Sequence, residues 1–255
     1  MSTATIHPMS DSLTMLRRQL RHSVRNMSTL FNAVFFPIIM LLMFVYIFGG
    51  AFNVGVEYVQ YVFPGILTMT IAYGVSMTAI TVNNDMTQGI IDRFRTMAIS
   101  RASVLTGHAG GALIRTLAGV TVITLVALLM GFEPNAEFGE WVLAVLLSAF
   151  LILGMAWMVI AFGLKAKTVE GASFAAFPLL FLPFMSSAFA PASTMPAGIR
   201  WFTDNQPFTP IIETMRGLLT GTPIGNSGLA AVLWCTGLLL AGYAWARRAY
   251  ATSGR

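Results

Sequence analysis

The sequence predicts an all-α integral membrane protein: six transmembrane helices, an N-terminal amphipathic interfacial helix, and a re-entrant external segment between spans five and six. Three observations carry this. Of 255 residues, 56% are apolar and only 10% charged, whereas a soluble domain builds its solvent-facing shell from ~25% charged residues. Charge-free runs long enough to cross a bilayer recur along the chain, given that ~20 helical residues span the hydrocarbon core. Finally, Lys and Arg concentrate in alternate connecting segments, the asymmetry that orients membrane proteins. No series of ten-residue alternating segments supports a barrel. The formal charge of +5 is scattered between apolar runs instead of gathered on one face, so nucleic acid is not an expected partner. A single cysteine, Cys235, excludes a disulfide scaffold.

At the N-terminus, Leu13, Leu16, Leu20, Val24 and Met27 recur at steps of three and four, while Arg17, Arg21 and Arg25 form a stripe elsewhere on the wheel. This pattern suits a helix lying among headgroups. The apolar run that follows is of spanning length, so the first 29 residues are read as a retained anchor instead of a cleavable signal. Spans are placed near 30–48, 63–82, 112–130, 141–162, 173–189 and 229–246. The third is short and lengthens if Arg115 snorkels to the headgroups at the membrane edge. Arg17, Arg18, Arg21 and Arg25 precede span one; Arg93, Arg95 and Arg101 lie between spans two and three; Lys165 and Lys167 lie between four and five; Arg247, Arg248 and Arg255 follow span six. The opposite loops hold only Arg200 and Arg216, and loop 131–140 carries Glu133, Glu137 and Glu140 without a cation. Both termini are therefore expected in the cytoplasm. No repeat or linker divides the chain, so residues 1–255 are read as one domain.

Absent chemistry narrows the function. His7, His22 and His108 all fall on or near the cytoplasmic side, away from any serine at membrane depth, which argues against intramembrane proteolysis. No His, Cys or carboxylate pair has metal-ligand spacing on a helix, so no metal is expected. No acid or base is placed deep in a span, where an ion-coupled carrier would need one. A phosphate-cradling G-x-x-x-x-G-K-[ST] loop is missing: neither Lys165 nor Lys167 follows a glycine. Energy for any transport would enter through another polypeptide.

Two connecting segments are informative. After Gly89, the positions Ile90, Ile91, Phe94, Met97 and Ala98 repeat at helical spacing, with Asp92, Arg93 and Arg95 facing away. Pattern alone leaves two readings open, an interfacial helix or a docking helix for a soluble partner. Segment 190–228 contains Pro191, Pro196, Pro207, Pro210 and Pro223, yet Ile211, Ile212, Met215, Leu218 and Leu219 keep an apolar helical face, with Glu213 and Arg216 spaced to pair on the other side. So apolar a loop is expected to fold back into the bundle as broken helices. In the second span Met69, Tyr73 and Met77, and in the fifth Phe177 and Phe181, each share a helical face; these adaptable apolar side chains are taken as lining a substrate path. Gly107 and Gly111 suit either close helix approach or a turn.

The chain resembles the type-2 ATP-binding-cassette (ABC) permeases, particularly the bacterial daunorubicin-resistance-type branch. The likeness rests on Phe36-Pro37 through Phe48-Gly49-Gly50-Ala51, Phe63-Pro64-Gly65-Ile66, Gly89-Ile90-Ile91-Asp92-Arg93-Phe94-Arg95 through Ser100-Arg101, and Ser186-Ser187-Ala188-Phe189 with Pro191, Met195-Pro196, Gln206-Pro207-Phe208-Thr209 and Arg216-Gly217-Leu218-Leu219. It departs from the family near Ala98, where a proline is usual, and at His108, where an arginine is expected after Gly107. The resemblance implies one type-2 ABC permease domain, the membrane half of a transporter in the bacterial plasma membrane. Such a subunit pairs with a second copy or a paralogue and docks a separate cassette ATPase, which holds ATP and Mg; no cofactor is expected in this chain, and it is not itself an enzyme. Gly89, Asp92, Arg93, Phe94, Arg95 and Arg101 would meet the ATPase. Pro196, Pro207, Glu213 and Arg216 would belong to an external gate. The implied cargo is hydrophobic or amphipathic, of drug or antibiotic type, moved out of the cell. Alternatives are export of a lipid or cell-envelope glycoconjugate and, more distantly, a membrane-embedded enzyme.

Overall fold

The computed structural model of the chain describes residues 13–19, 27–51, 54–90 and 101–252, with backbone alone at 27–34 and 101–102. Among these there is no strand. We number the helices α1 (13–19), α2 (Met27–Leu42), α3 (Tyr58–Thr87), α4 (Arg101–Leu129), α5 (Phe138–Lys165), α6 (Val169–Phe181), α7 (Ala197–Asn205), α8 (Phe208–Thr220) and α9 (Ser227–Thr252). A π-helical stretch, Met43–Phe48, and a 3-10 turn, Gly49–Ala51, prolong α2. Another 3-10 turn, Leu182–Met185, prolongs α6.

Four helices, α3, α4, α5 and α9, are long and apolar enough to cross a membrane by length and composition. Two further apolar stretches, Phe35–Ala51 and Val169–Met185, are shorter. Four of the six expected spans thus fall on the long helices, while the first and fifth fall on the two shorter stretches, and the bounds differ. α4 begins at Arg101, well before the expected 112, and α6 gives way to tight turns before 189.

The core is built around α3. In its most apolar stretch 78% of residues are buried, against 22% in α9. α2, α4, α5, α6 and α8 all pack on α3, and α9 lies outside against α5 and α8. Full burial explains why α3 is apolar on every side: Phe63, Ile66, Ile71, Val75 and Val82 are all inaccessible. Its polar residues turn inward to the helix, as Thr68 Oγ1 does in donating to the Pro64 carbonyl at 2.9 Å, or tie helices together. Asn83 Nδ2 donates to the Gly163 and Ala166 carbonyls at 3.2 and 2.7 Å, closing the end of α5 where its last carbonyls lack intrahelical partners.

Local chemistry sets the helix starts. Glu137 and Glu140 form a reciprocal capping box at the head of α5, with the Glu137 N–H donating to Glu140 Oε2 at 2.8 Å. The acidic loop before α5 therefore has a structural cause. Thr168 Oγ1 accepts from the Gly171 N–H to cap α6. α8 closes on Gly221, left-handed at φ +73°.

Candidate functional site

α3 carries a polar cluster near each end. Tyr61 and Asp85 lie 24 residues apart along it, or ~36 Å at 1.5 Å per residue, a separation slightly greater than the ~30 Å thickness of a hydrocarbon core.

At the Tyr61 end, Arg216 of α8 points into the bundle. Its side chain is only 7% exposed, and its Nη1 meets Glu213 Oε1 at 2.6 Å. Nε and Nη2 donate to the Tyr61 carbonyl, both at 3.2 Å, and Nη2 also donates to the Ser187 carbonyl at 3.0 Å. The guanidinium lies 4.0 Å from the Tyr61 ring centroid, a cation–π distance. Tyr61 Oη donates to the same Ser187 carbonyl, and Tyr58 Oη donates to the Phe189 carbonyl, each at 3.0 Å. One arginine and two tyrosines thus hold the turn after α6 against the head of α3. The expected Glu213–Arg216 pair is present, but the arginine lies inside the bundle, where the Tyr61 and Ser187 carbonyls accept its remaining N–H groups. Pro196 and Pro207 immediately precede α7 and α8, positions where a fixed φ and a missing N–H suit a helix start. Beside Glu213 a cavity of about 510 Å³ opens, also lined by Ser187, Asp204, Asn205, Asn226 and Trp234.

At the other end, Asp85 sits in the last turn of α3. Arg18 of α1 grips it in a two-pronged bond, Nη1 to Oδ2 and Nη2 to Oδ1, both 2.9 Å. His108 Nε2, from α4, stands 3.3 Å from Oδ2 and 3.2 Å from the Gln19 amide nitrogen. The helices approach closely here: a Cβ on Gly107 would come within 2.6 Å of Met15 Cβ, and one on Gly111 within 2.9 Å of Gln19 Cβ. Of the two roles open to these glycines, close approach is the one observed. Sequence reasoning missed this cluster. The arginine stripe took in Arg17 and not Arg18, and the second span was ended at 82, short of Asp85, yet Met15 and Arg18 turn toward the bundle while Arg17 and Leu13 are exposed. The available signal was His108 itself, an ionisable residue among small ones.

Gly89 follows α3 at φ +66°, a left-handed geometry that lets the chain turn off the helix. Asp92, Arg93, Phe94 and Arg95 lie outside the described residues, and Arg101 opens α4. Arg115 departs from expectation. Instead of snorkelling outward it is buried, its Nη2 donating to Thr78 Oγ1 at 2.8 Å and the Gly74 carbonyl at 3.3 Å. Gly74 makes room, since a Cβ there would meet Thr116 Oγ1 at 2.8 Å.

Among the path residues, Met69 is buried, and Tyr73 and Met77 are half-buried. Tyr73 stacks on Phe36 with centroids 4.5 Å apart. Phe177 and Phe181 are 54% and 49% exposed. They open a continuous aromatic row that runs through Phe184 and Phe189 to Phe44 and Phe48 in the π-helical stretch, with successive centroids 4.1 to 6.2 Å apart. The row joins the face of α6 to the continuation of α2. Among the described residues no group of three His, Cys, Asp or Glu side chains could hold a metal ion.

Comparison with known proteins agrees with this architecture. The chain is 31% identical, over 83% of its length and 72% of the relative's, to the daunorubicin resistance ABC transporter permease protein DrrB1 of Streptomyces coeruleorubidus. It is 22% identical, over 90% of its length and 84% of the relative's, to the probable doxorubicin resistance ABC transporter permease protein DrrC of Mycobacterium tuberculosis. The profile of the ABC-2 type transporter family matches residues 11–220. A membrane-embedded bundle with four long apolar helices, polar ties at both ends of its central helix and relatives that are permease subunits, this chain belongs to the ABC-2 type transporter family.

Proposed function

We propose that this ABC transporter subunit is the permease of an exporter that moves hydrophobic or amphipathic compounds out of a bacterial cell, driven by a separate cassette ATPase. The observation that carries the reading is membership of a permease family in a sequence with no nucleotide-cradling loop. In this reading all six apolar helices cross the membrane, both termini face the cytoplasm, and segment 190–228 folds back into the external side. The subunit works as a pair with a second copy or a paralogue, surrounded by lipid. ATP and Mg reside in the partner, which engages Gly89, Asp92, Arg93, Phe94, Arg95 and Arg101. Cargo moves past Met69, Tyr73 and Met77 and along the aromatic row that includes Phe177 and Phe181. Pro196, Pro207, Glu213 and Arg216 form the external gate, beside the cavity under Trp234. Drug-type cargo is favoured over a lipid or glycoconjugate by the relatives named for daunorubicin and doxorubicin resistance.

The mechanism requires an element with two arrangements whose balance ATP binding shifts. The turn after α6 is such an element, since it is held by few, identifiable bonds. Two measurements test the reading. The chain should co-purify with a cassette ATPase, and inverted vesicles holding both should accumulate doxorubicin only with ATP. A cysteine placed at Gln88 should resist an impermeant maleimide in intact cells and react after permeabilisation; Cys235, the only native thiol, is buried. Labelling in intact cells overturns the orientation, and ATP-independent accumulation overturns the function.

A further inference from the structure

The loop assigned to the ATPase hangs between Asp85, four residues before Gly89, and His108, seven residues after Arg101. Both meet Arg18 and Gln19 of α1 in one cluster. We propose that Arg18, Asp85 and His108 are positioning residues that bind α1 to the two helices flanking the loop, so that α1 moves with the facing ends of α3 and α4 as one lever. This rests on the transport reading and adds residues that it does not name.

Two features of the contact favour a working tie over plain packing. Toward α4, α1 is seated by shape: Met15, Leu16 and Gln19 fill the surface left by Gly107, Gly110 and Gly111. Toward α3 the surfaces part. A cavity of about 170 Å³ lies there, lined by Arg18, Gln19, Thr81, Asn84, Asp85, Gln88 and Ile90. Across this gap the two-pronged Arg18–Asp85 bond bridges α1 and α3, and its fork geometry fixes orientation as well as distance. His108 Nε2 reaches the same carboxylate with its side chain 1% exposed, and its Nδ1 has no partner among the described residues. A displacement of the loop therefore reaches α3 and α4 together and carries α1 with them. With the bridge cut, α1 stays seated on α4 but loses its direct, oriented link to α3.

The test uses Arg18→Gln, because Arg18 is one-third exposed on a peripheral helix, with Arg17→Gln as control and the Arg18→Asp/Asp85→Arg exchange as rescue. In the first arm the permease alone, in lipid nanodiscs, carries spin labels at Leu13 and Gln88, both exposed. The distance distribution should broaden in R18Q, stay narrow in R17Q and narrow again in the exchange. In the second arm, with the ATPase present, R18Q should still capture the partner while doxorubicin moved per ATP falls by about fivefold or more, the low end of coupling between linked sites. An R18Q distribution like that of the wild type, or an unchanged transport-to-ATP ratio, overturns the proposal. Loss of capture in R18Q also overturns it, because Arg18 would then be a docking contact. Arg18→Lys, which keeps the charge without the fork, should behave like R18Q if orientation matters. The spin-label arm needs no ATPase, so failure there refutes the lever alone, whereas a wild-type chain that captures no ATPase refutes the transport reading.

Discussion

Replacing Arg216 by methionine keeps most of the side-chain volume and removes the charge that pins the turn after α6. Arg216 supplies charged hydrogen bonds to two carbonyls, that of Tyr61, part-buried, and that of Ser187, buried, and a cation over the Tyr61 ring. Hydrogen bonds to charged groups contribute ~1.5–3 kcal/mol each, and a cation–π contact ~0.5–2 kcal/mol according to its desolvation. The Glu213 pair is discounted, because that carboxylate is more than one-third exposed and such pairs contribute ~0–1 kcal/mol. At the lower values the loss is ~3.5 kcal/mol, which for a chain of this size lowers the melting temperature by ~10 °C, at ~2–4 °C per kcal/mol. Intrinsic-fluorescence melting of the purified protein in detergent reads this directly. Arg216→Lys should fall between methionine and wild type, since an ammonium retains the charge without presenting a fork to both carbonyls. If Arg216→Met melts within ~2 °C of wild type, the bonds drawn here do not hold the turn and the gate assignment loses its physical basis.

Two other substitutions probe the same scaffold. Gly65→Ala would bring a Cβ to 2.6 Å from Ala188 Cβ and 2.8 Å from its Cα; the turn must move, at a cost of ~1–3 kcal/mol, visible as an earlier melt and as faster maleimide labelling of Ser187→Cys. Asn83→Leu leaves the Ala166 carbonyl without its 2.7 Å donor, a loss of ~1–3 kcal/mol that hydrogen exchange should localise to the end of α5, whereas an equal rate in mutant and wild type at residues 164–167 would refute it.

Helix positions were legible because the bilayer requirement is local: length and freedom from charge are properties of one contiguous run. Bounds were less so. α4 starts at Arg101 instead of near 112, and the reason is tertiary, since Gly107, Gly110 and Gly111 weaken the helix locally but seat α1 against it. Charged residues were the least legible. Arg216 was read onto the polar side of its helix, Arg115 toward the headgroups, and Arg18 was left out of the arginine stripe. Each is instead directed by a partner far away in sequence: Tyr61 at a separation of 155, Gly74 and Thr78 at 41 and 37, Asp85 at 67. Periodicity carries no information about such pairings. In a low-dielectric interior they dominate nonetheless, because a buried cation without bonds costs more than any preference of its own helix.

These long-range ties also explain why the ends of α3 matter more than its middle. Along most of its buried length α3 is held by apolar contacts, which are non-directional and tolerate small slides, with the Arg115 bonds to Gly74 and Thr78 as the polar tie part-way. At its ends it is held by hydrogen bonds with strict angular limits, Arg18–Asp85 at one and Arg216–Tyr61 at the other. A helix gripped this way moves as a unit once one grip changes, and the shift appears ~36 Å away at the second grip with little loss along a packed rod. Under the proposed transport function, coupling across the membrane would then need no chain of residues through the core, only a stiff α3 and a different partner at each end. The double mutant Arg18→Gln/Arg216→Met tests this. If the two grips act through α3, their effects on transport per ATP should depart from additivity by more than ~0.5 kcal/mol, the scatter found for independent distant sites. Strict additivity would mean that each end acts alone.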